Sequence, residues 1–286
     1  MFRSTPVNCT IKGQNQEWKS FPANHYQYMQ SKAFNFPQVT LLITHFNRPA
    51  SLARLLSSFA SLGCTFGEII VSDDCSTAEN LQQVKKLQSE FDFKLITTPT
   101  NAGLGNNINK GQRNATLPLT LYVQEDFVPL ELFPEKLSAS IGFMQDDPTL
   151  DIVRFYAYQR FPFLKPFAEG FSEMHFNPKD ILSTYNKFYL YSDHPHLRRS
   201  DFLTKFGDYK EGVNVEKAEY SMMMSFLKRK GRGLFYEDFK GLFDQKNSSE
   251  EPSTFKRNWK RHPTNIMIRV ARHFYRHIKF NLNYYF

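Results

Sequence analysis

The chain has 286 residues, 41% of them hydrophobic, enough for one sizeable core with an appended half. Its three cysteines (Cys9, Cys64, Cys75) are odd in number and lack metal-type spacing, which argues against a disulfide framework or a zinc site. The formal net charge is +8, and the eight basic residues between Pro252 and Phe286, a stretch without a single acid, account for all of it. The rest of the chain is balanced, so a nucleic-acid partner is not expected. No run of about 18 apolar residues is present to span a membrane, and Met1 to Ser20 lacks the apolar stretch of a signal peptide. A cytoplasmic protein is the expectation.

Residues 1–36 show no sustained period and read as an irregular lead-in. Val39 to Thr44 is a β-rich apolar run, as in a strand buried on both faces. Asn47 and Pro49 open a helix carrying Leu52, Leu55, Leu56 and Phe59 at helical spacing. Ile69 to Val71 predicts a second strand, ended by Ser72-Asp73-Asp74, and Ser76 or Thr77 can cap the helix after it. Phe93 to Ile96 predicts a third strand, and Asn101 to Gly105 leads into a third helix. Leu119 to Val123 predicts a fourth strand, followed at once by Gln124-Glu125-Asp126.

Strands alternating with helices in this way indicate βαβ units and a mostly parallel sheet flanked by helices. Ligands of such sheets bind beyond the carboxyl ends of the strands. The polar clusters Thr44 to Arg48, Asp73-Asp74, Asn101 to Gly105 and Gln124 to Asp126 all fall there. Further on, a helix over Glu131 to Gln145, a strand over Ile152 to Tyr158 and a helix over Glu216 to Lys230 are expected, with Phe161 to Tyr191 aromatic and irregular between them. This gives an α+β region after the parallel half. The implied division is 1–36 lead-in, 37–128 parallel ligand-binding part, 129–250 α+β part, and 251–286 basic amphipathic tail.

Two acidic pairs, Asp73-Asp74 and Glu125-Asp126, end different strands and can converge on one pocket. A nucleotide needs an acceptor for its base or ribose hydrogens. Its diphosphate needs a divalent cation (Mn²⁺ or Mg²⁺) held by one or two carboxylates. The alternative is that these acids only cap helices.

The segments VTLLITHFNRP (39–49), IIVSDDCST (69–77), NAGLGNNINKG (101–111) and YVQEDF (122–127) together resemble the family 2 glycosyltransferases with the GT-A (Rossmann-like) fold. The resemblance covers about Val39 to Pro129 well and the next hundred or so residues loosely. It implies that Thr44, Phe46 and Arg48 hold the nucleotide base. It also implies that Asp74 contacts the base with Asp73 in support, and that Asn101, Gly103, Asn109 and Gly111 stand at motif positions. Asp126 falls on the last acid of the family's metal-binding Asp-x-Asp, Gln124 replaces the first, and Glu125 is the second candidate metal ligand. Ile108 stands where the family has an arginine.

The resemblance further implies an acceptor-side base near the start of a helix, in a segment often reading Glu-Asp. Here it reads Glu216-Lys217, with Glu219 beyond, so Glu216 is the first candidate and Glu219 the reserve; solvated acids in a first helical turn are the alternative. His194 and His196, with Arg198 and Arg199, could serve a metal or phosphate, or be structural. Ile266, Val270, Phe274 and Ile278 form an apolar stripe beside Arg269, Arg272, Arg276 and Lys279. Such a helix either lies on an anionic membrane, a peripheral place on the inner face of the cytoplasmic membrane, or packs on the body.

The activity so implied is inverting transfer from a nucleoside-diphosphate sugar, UDP-linked, to a hydroxyl of a glycan or lipid-linked glycan. The alternatives are a nucleotidyltransferase and a catalytically silent nucleotide-binding protein. The first would want a glycine-rich loop after the first strand, which Thr44 to Arg48 lacks. Gln124, Ile108 and Lys217 lean toward the second.

Overall fold

Along the first strand, Val39, Leu41 and Ile43 join one apolar core and Leu42 joins another, all of them fully buried. The strand must therefore sit in a sheet covered on both faces. A computed structural model describes residues 33–180, 183–247 and 266–286, and shows that arrangement.

The first half runs β1 (Phe34–His45), α1 (Pro49–Ser61), β2 (Cys64–Asp73), α2 (Ala78–Leu87), β3 (Lys94–Ile96), α3 (Gly103–Arg113) and β4 (Leu119–Gln124). The second half adds β5 (Phe127–Pro129), α4 (Phe133–Asp146), β6 (Ile152–Arg154), β7 (Leu164–Ala168) and β8 (Phe171–Met174). After a single 3-10 turn (Tyr185–Phe188) come β9 (His196–Arg199), α5 (Phe202–Phe206), α6 (Val215–Lys228), β10 (Gly233–Tyr236), β11 (Phe243–Gln245) and α7 (Ile266–Tyr285).

One sheet has the order β3-β2-β1-β4-β9-β6-β10-β8-β7, and only β8 and β9 run against the others. Leu52, Leu55, Leu56 and Phe59 of α1, with Phe133 and Leu137 of α4, cover one face. Ile108 of α3, Phe202 and Phe206 of α5, and Met222, Met223 and Phe226 of α6 cover the other. The fold is the mixed α/β arrangement expected, with the C-terminal helix present.

Several local expectations change. β1 starts at Phe34, inside the expected lead-in, because Phe34 to Phe36 pair with Cys64 to Phe66 before the register shifts at a bulge; residues 1–32 lie outside those described. The strand expected over Ile152 to Tyr158 stops at Arg154, where its pairing with β9 and β10 ends. Within the stretch read as irregular, β7 and β8 form a hairpin closed by Glu169 (φ 56°) and Gly170 (φ 82°), both left-handed as such a two-residue turn requires. β7 is mostly exposed and contains Pro166, so alternation never marked it.

Packing of α3 leaves no room at Gly105. A methyl group there would meet the Lys210 carbonyl oxygen at 2.4 Å, a backbone atom that cannot swing away. Gly105→Ala is therefore expected to lose about 1–3 kcal/mol to overpacking, despite alanine's better helix propensity. A urea titration reads this directly, and a variant as stable as the parent would contradict the close approach.

Candidate active site

Strands β1, β2, β4 and β6 all end at one edge of the sheet, and the oppositely directed β9 enters from it. A cleft of about 1080 Å³ opens there. Thr44, Phe46, Arg48, Asp74, Asn101 and Gly103 line one end, Gln124, Glu125 and Asp126 the floor, and Glu216 and Glu219 the opposite wall. Asp73 and Asn109 do not line it, and their side chains are spent on the scaffold.

Asp73 is fully buried. Its carboxylate meets His45 Nδ1 at 2.8 Å and accepts from the Ser76 hydroxyl and, at 2.9 Å, from the Ser76 amide. The Arg48 amide donates to His45 Nε2 at 3.2 Å, so the imidazole proton sits on Nδ1 and points at Asp73. Burial alone would raise the Asp73 carboxyl, but the His45 and Ser76 hydrogen bonds hold it below its ordinary value.

Asp74 closes the other side. Its two oxygens accept from the Ala102 and Gly103 amides at 2.8 and 2.9 Å, at the N-terminus of α3. An anion there meets orphan N–H groups and the positive helix end. Gly103 has φ 83°, a conformation that favours glycine. Helix capping therefore falls to Asp74, which also reaches the cleft, whereas Asp73 bonds Ser76 just ahead of the Thr77 cap of α2. Asn109 exchanges hydrogen bonds with the Tyr209 backbone at 2.9 Å each way and donates to Glu211 Oε1 at 2.8 Å.

On the floor, Glu125 and Asp126 are almost wholly buried. Arg48 Nη1 lies 3.5 Å from Glu125 Oε1 and 3.5 Å from Asp126 Oδ2, and Gln245 Nε2 donates to that same Oδ2 at 2.9 Å. Burial pushes the Glu125 carboxyl up to about 7, with the Asp126 charge adding to the effect and Arg48 opposing it. Asp126 Oδ1 is buried with no hydrogen-bond partner among the described residues, an acceptor open to a cation or a donor group. No group of three His, Cys, Asp or Glu side chains is gathered to hold a metal alone, among the described residues. The residues therefore fit a divalent ion only in the open manner of Mg²⁺ or Mn²⁺, with one or two carboxylates and the remaining ligands from diphosphate and water. Gln124 adds no charge; its Nε2 donates to the Asp193 carbonyl at 3.1 Å.

The opposite wall holds a second acidic pair. Glu219 lies three residues along α6 from Glu216, which is exposed in the first turn behind the Asn214 cap. Glu219 instead lies beside the carboxyl of Asp193, near enough for each to alter the other's proton affinity. Burial, then the neighbouring Asp193 charge, raises Glu219 well above the usual carboxylate range, and burial raises Asp193 as well. Both carboxyls therefore bind a proton more readily than a solvated carboxylate does, each biased by the other.

Arg154 lies beneath the pair, donating to the Tyr189 carbonyl at 2.7 Å and Ser192 Oγ at 2.9 Å. Burial lowers it to about 10, so it keeps its charge at neutral pH. Asp193 and Arg154 escaped the sequence reading, because only the antiparallel placement of β9 beside β6 brings them to this edge. Of the histidines and arginines beside them, His194 lines the cleft, while Arg198 and Arg199 are engaged within the body. His194 packs against Tyr156, Tyr158 and Phe127 and is held neutral by burial. Arg198 bonds Gln112 and Tyr209 in the core, and Arg199 donates to the Leu150, Met144 and Asp147 carbonyls.

A sequence profile of glycosyl transferase family 2 matches residues 40–207, more than half of the chain. The chain belongs to glycosyl transferase family 2. It is 24% identical over 110 residues to the poly-beta-1,6-N-acetyl-D-glucosamine synthase of Staphylococcus epidermidis, a match covering 38% of this chain and 27% of that protein. A crystal structure of S. aureus TarS 1–349 in complex with UDP-GlcNAc superposes with a TM-score of 0.54 at 19% identity, covering 77% of this chain and 61% of the other. The mannosyltransferase PcManGT of Pyrobaculum calidifontis, in complex with GDP-Man and Mn²⁺, gives 0.51 at 15% identity over 85% and 64%. These likenesses establish a common fold. The chain spans about a quarter of the curated relative and some three-fifths of the solved ones.

If Asp74 fixes the start of α3, Asp74→Ala leaves two amides without acceptors and should lower stability by about 1–3 kcal/mol. An unchanged urea midpoint would confine Asp74 to ligand contact.

Proposed function

We propose that the chain is an inverting glycosyltransferase. It moves a sugar from a nucleoside-diphosphate sugar, UDP-linked, to a hydroxyl of a glycan or lipid-linked glycan with a divalent cation assisting. The observation that carries the reading is the cleft itself. It gathers Asp74, Asp126 and Glu219, acids far apart in sequence, at one sheet edge of a family 2 chain. The UDP-GlcNAc bound by TarS and the product named for the staphylococcal synthase favour a UDP-linked donor.

In this reading the base and ribose lie against Thr44, Phe46, Arg48, Asp74 and the Asn101–Gly103 turn. Asp126, with Glu125, would hold Mn²⁺ or Mg²⁺, which supplies positive charge to the departing diphosphate. Glu219 takes the proton of the acceptor hydroxyl. The freed oxygen attacks the anomeric carbon on the face away from the diphosphate as that carbon–oxygen bond breaks, and the nucleoside diphosphate leaves. Glu219 is preferred to Glu216 because burial and Asp193 raise its affinity for a proton, whereas Glu216 is exposed to water. The pair gives up its negative charge as it takes the incoming proton, and recovers it when that proton passes to water after transfer.

The acid pair gives the pH dependence a direction. A base with a raised pKa is inactive while protonated, so kcat should climb as pH rises through the elevated range and fall below it. Glu219→Gln should lower kcat by about 10²- to 10⁴-fold, with donor binding retained, while Glu216→Gln leaves kcat near that of the parent. The reverse pattern would move the base to Glu216.

Calorimetric titration of UDP with and without Mn²⁺ tests the floor. The parent should show metal-dependent binding, and Asp126→Ala should lose that dependence while staying folded. Metal-dependent UDP binding without hydrolysis or transfer of any of a panel of nucleotide sugars would favour the silent nucleotide-binding protein.

A further inference from the structure

Helix α7 packs on the body by one face and leaves another uncovered. On the packed face, Phe280 is buried against Tyr220, Phe188 and Tyr185 at ring distances of 4.9, 5.6 and 5.9 Å. Tyr284 meets Phe176 at 5.0 Å. Beside this face, Arg276 donates to the Tyr185 hydroxyl at 3.2 Å and lines the cleft. At 3.6 residues per turn, Phe274, Ile278, Leu282 and Tyr285 gather on the opposite side, with Tyr275 at its border. Every one of them is more than half exposed.

An exposed apolar strip of this kind on a soluble body marks an interaction surface. Its surroundings decide the partner. From Pro252 to Phe286 the chain carries eight basic residues and no acid. Lys279 and Arg272 flank the strip along one border, and exposed Tyr285, a residue type that favours a membrane–water interface, stands at its end. No helix among the described residues is long and apolar enough to cross a membrane.

We propose that α7 docks this chain on an anionic lipid surface, lying in the headgroup layer with Phe274, Ile278, Leu282 and Tyr285 inserted and Arg272 and Lys279 on the acidic headgroups. Because Arg276 lines the cleft from the same helix, docking sets the cleft about one helix diameter, ~10 Å, from the bilayer. A lipid-linked acceptor would then meet the site where it is anchored; that last step rests on the glycosyl-transfer reading, whereas the docking does not.

Flotation of the full chain with two kinds of vesicle tests this, one of phosphatidylcholine alone and one of phosphatidylcholine with phosphatidylglycerol. The chain should float with the anionic vesicles, much less with the neutral ones, and progressively less as salt is raised. The double variant Phe274→Asp, Ile278→Asp should bind at least about tenfold more weakly. Both side chains are solvent-facing, so its circular dichroism and its UDP binding should match the parent. Equal flotation with both vesicle types, none with either, or a variant that floats like the parent would overturn the proposal. So would a dimer, seen by light scattering, that the double variant disperses, since the strip would then belong to a second copy of the chain. The flotation readout needs no turnover, so an inactive but membrane-bound chain would count against the transfer reading and not against docking.

Discussion

The cleft depends on how two neighbouring aspartates are used at the end of β2. Asp73 turns inward and ties β1 to the start of α2 through His45 and Ser76. Asp74 turns outward and fastens the N-terminus of α3. Three loops from three strands thereby share one origin. Loops carrying ligand contacts are ordinarily the mobile parts of a fold; here charge-assisted hydrogen bonds to backbone amides, roughly twice the strength of neutral ones, hold them in place.

Charge in the cleft is balanced in two separate sets. Arg48 faces Glu125 and Asp126 on the floor, and Arg154 lies below Asp193 and Glu219 on the wall. Each set leaves excess negative charge, and in both a carboxyl answers with a raised proton affinity. An isolated buried carboxylate costs far more than the partial neutralisation seen here. Both sets therefore favour uptake of positive charge, as a proton or as a cation.

The parallel half of the fold was legible because each strand is a contiguous apolar run that ends in polar residues at the ligand edge. The polar residues that β1, β2 and β4 bring to the cleft were legible for the same reason. Which of Asp73 and Asp74 faces the cleft was not, since adjacent side chains at a strand end diverge in three dimensions alone. β9 defeated the pattern outright. It reads His-Leu-Arg-Arg, yet it lies in the middle of the sheet with His196 and Arg198 fully buried. Arg198 is accommodated by the rings of Tyr122, Phe202 and Tyr209 and by hydrogen bonds to Gln112 and Tyr209. Asp193 precedes that strand and stayed hidden with it. For α7 the helix was plain from its period, but Phe280 and Tyr284 as the packed face emerge only from the rings they meet.

Asn109 has a consequence beyond packing. Its amide joins the middle of α3, which starts at Asp74, to the Tyr209–Glu211 segment shortly before α6, which carries Glu219. A displacement of α3 would therefore strain the three hydrogen bonds that fasten it to the segment ahead of α6, so the two helices keep a common position.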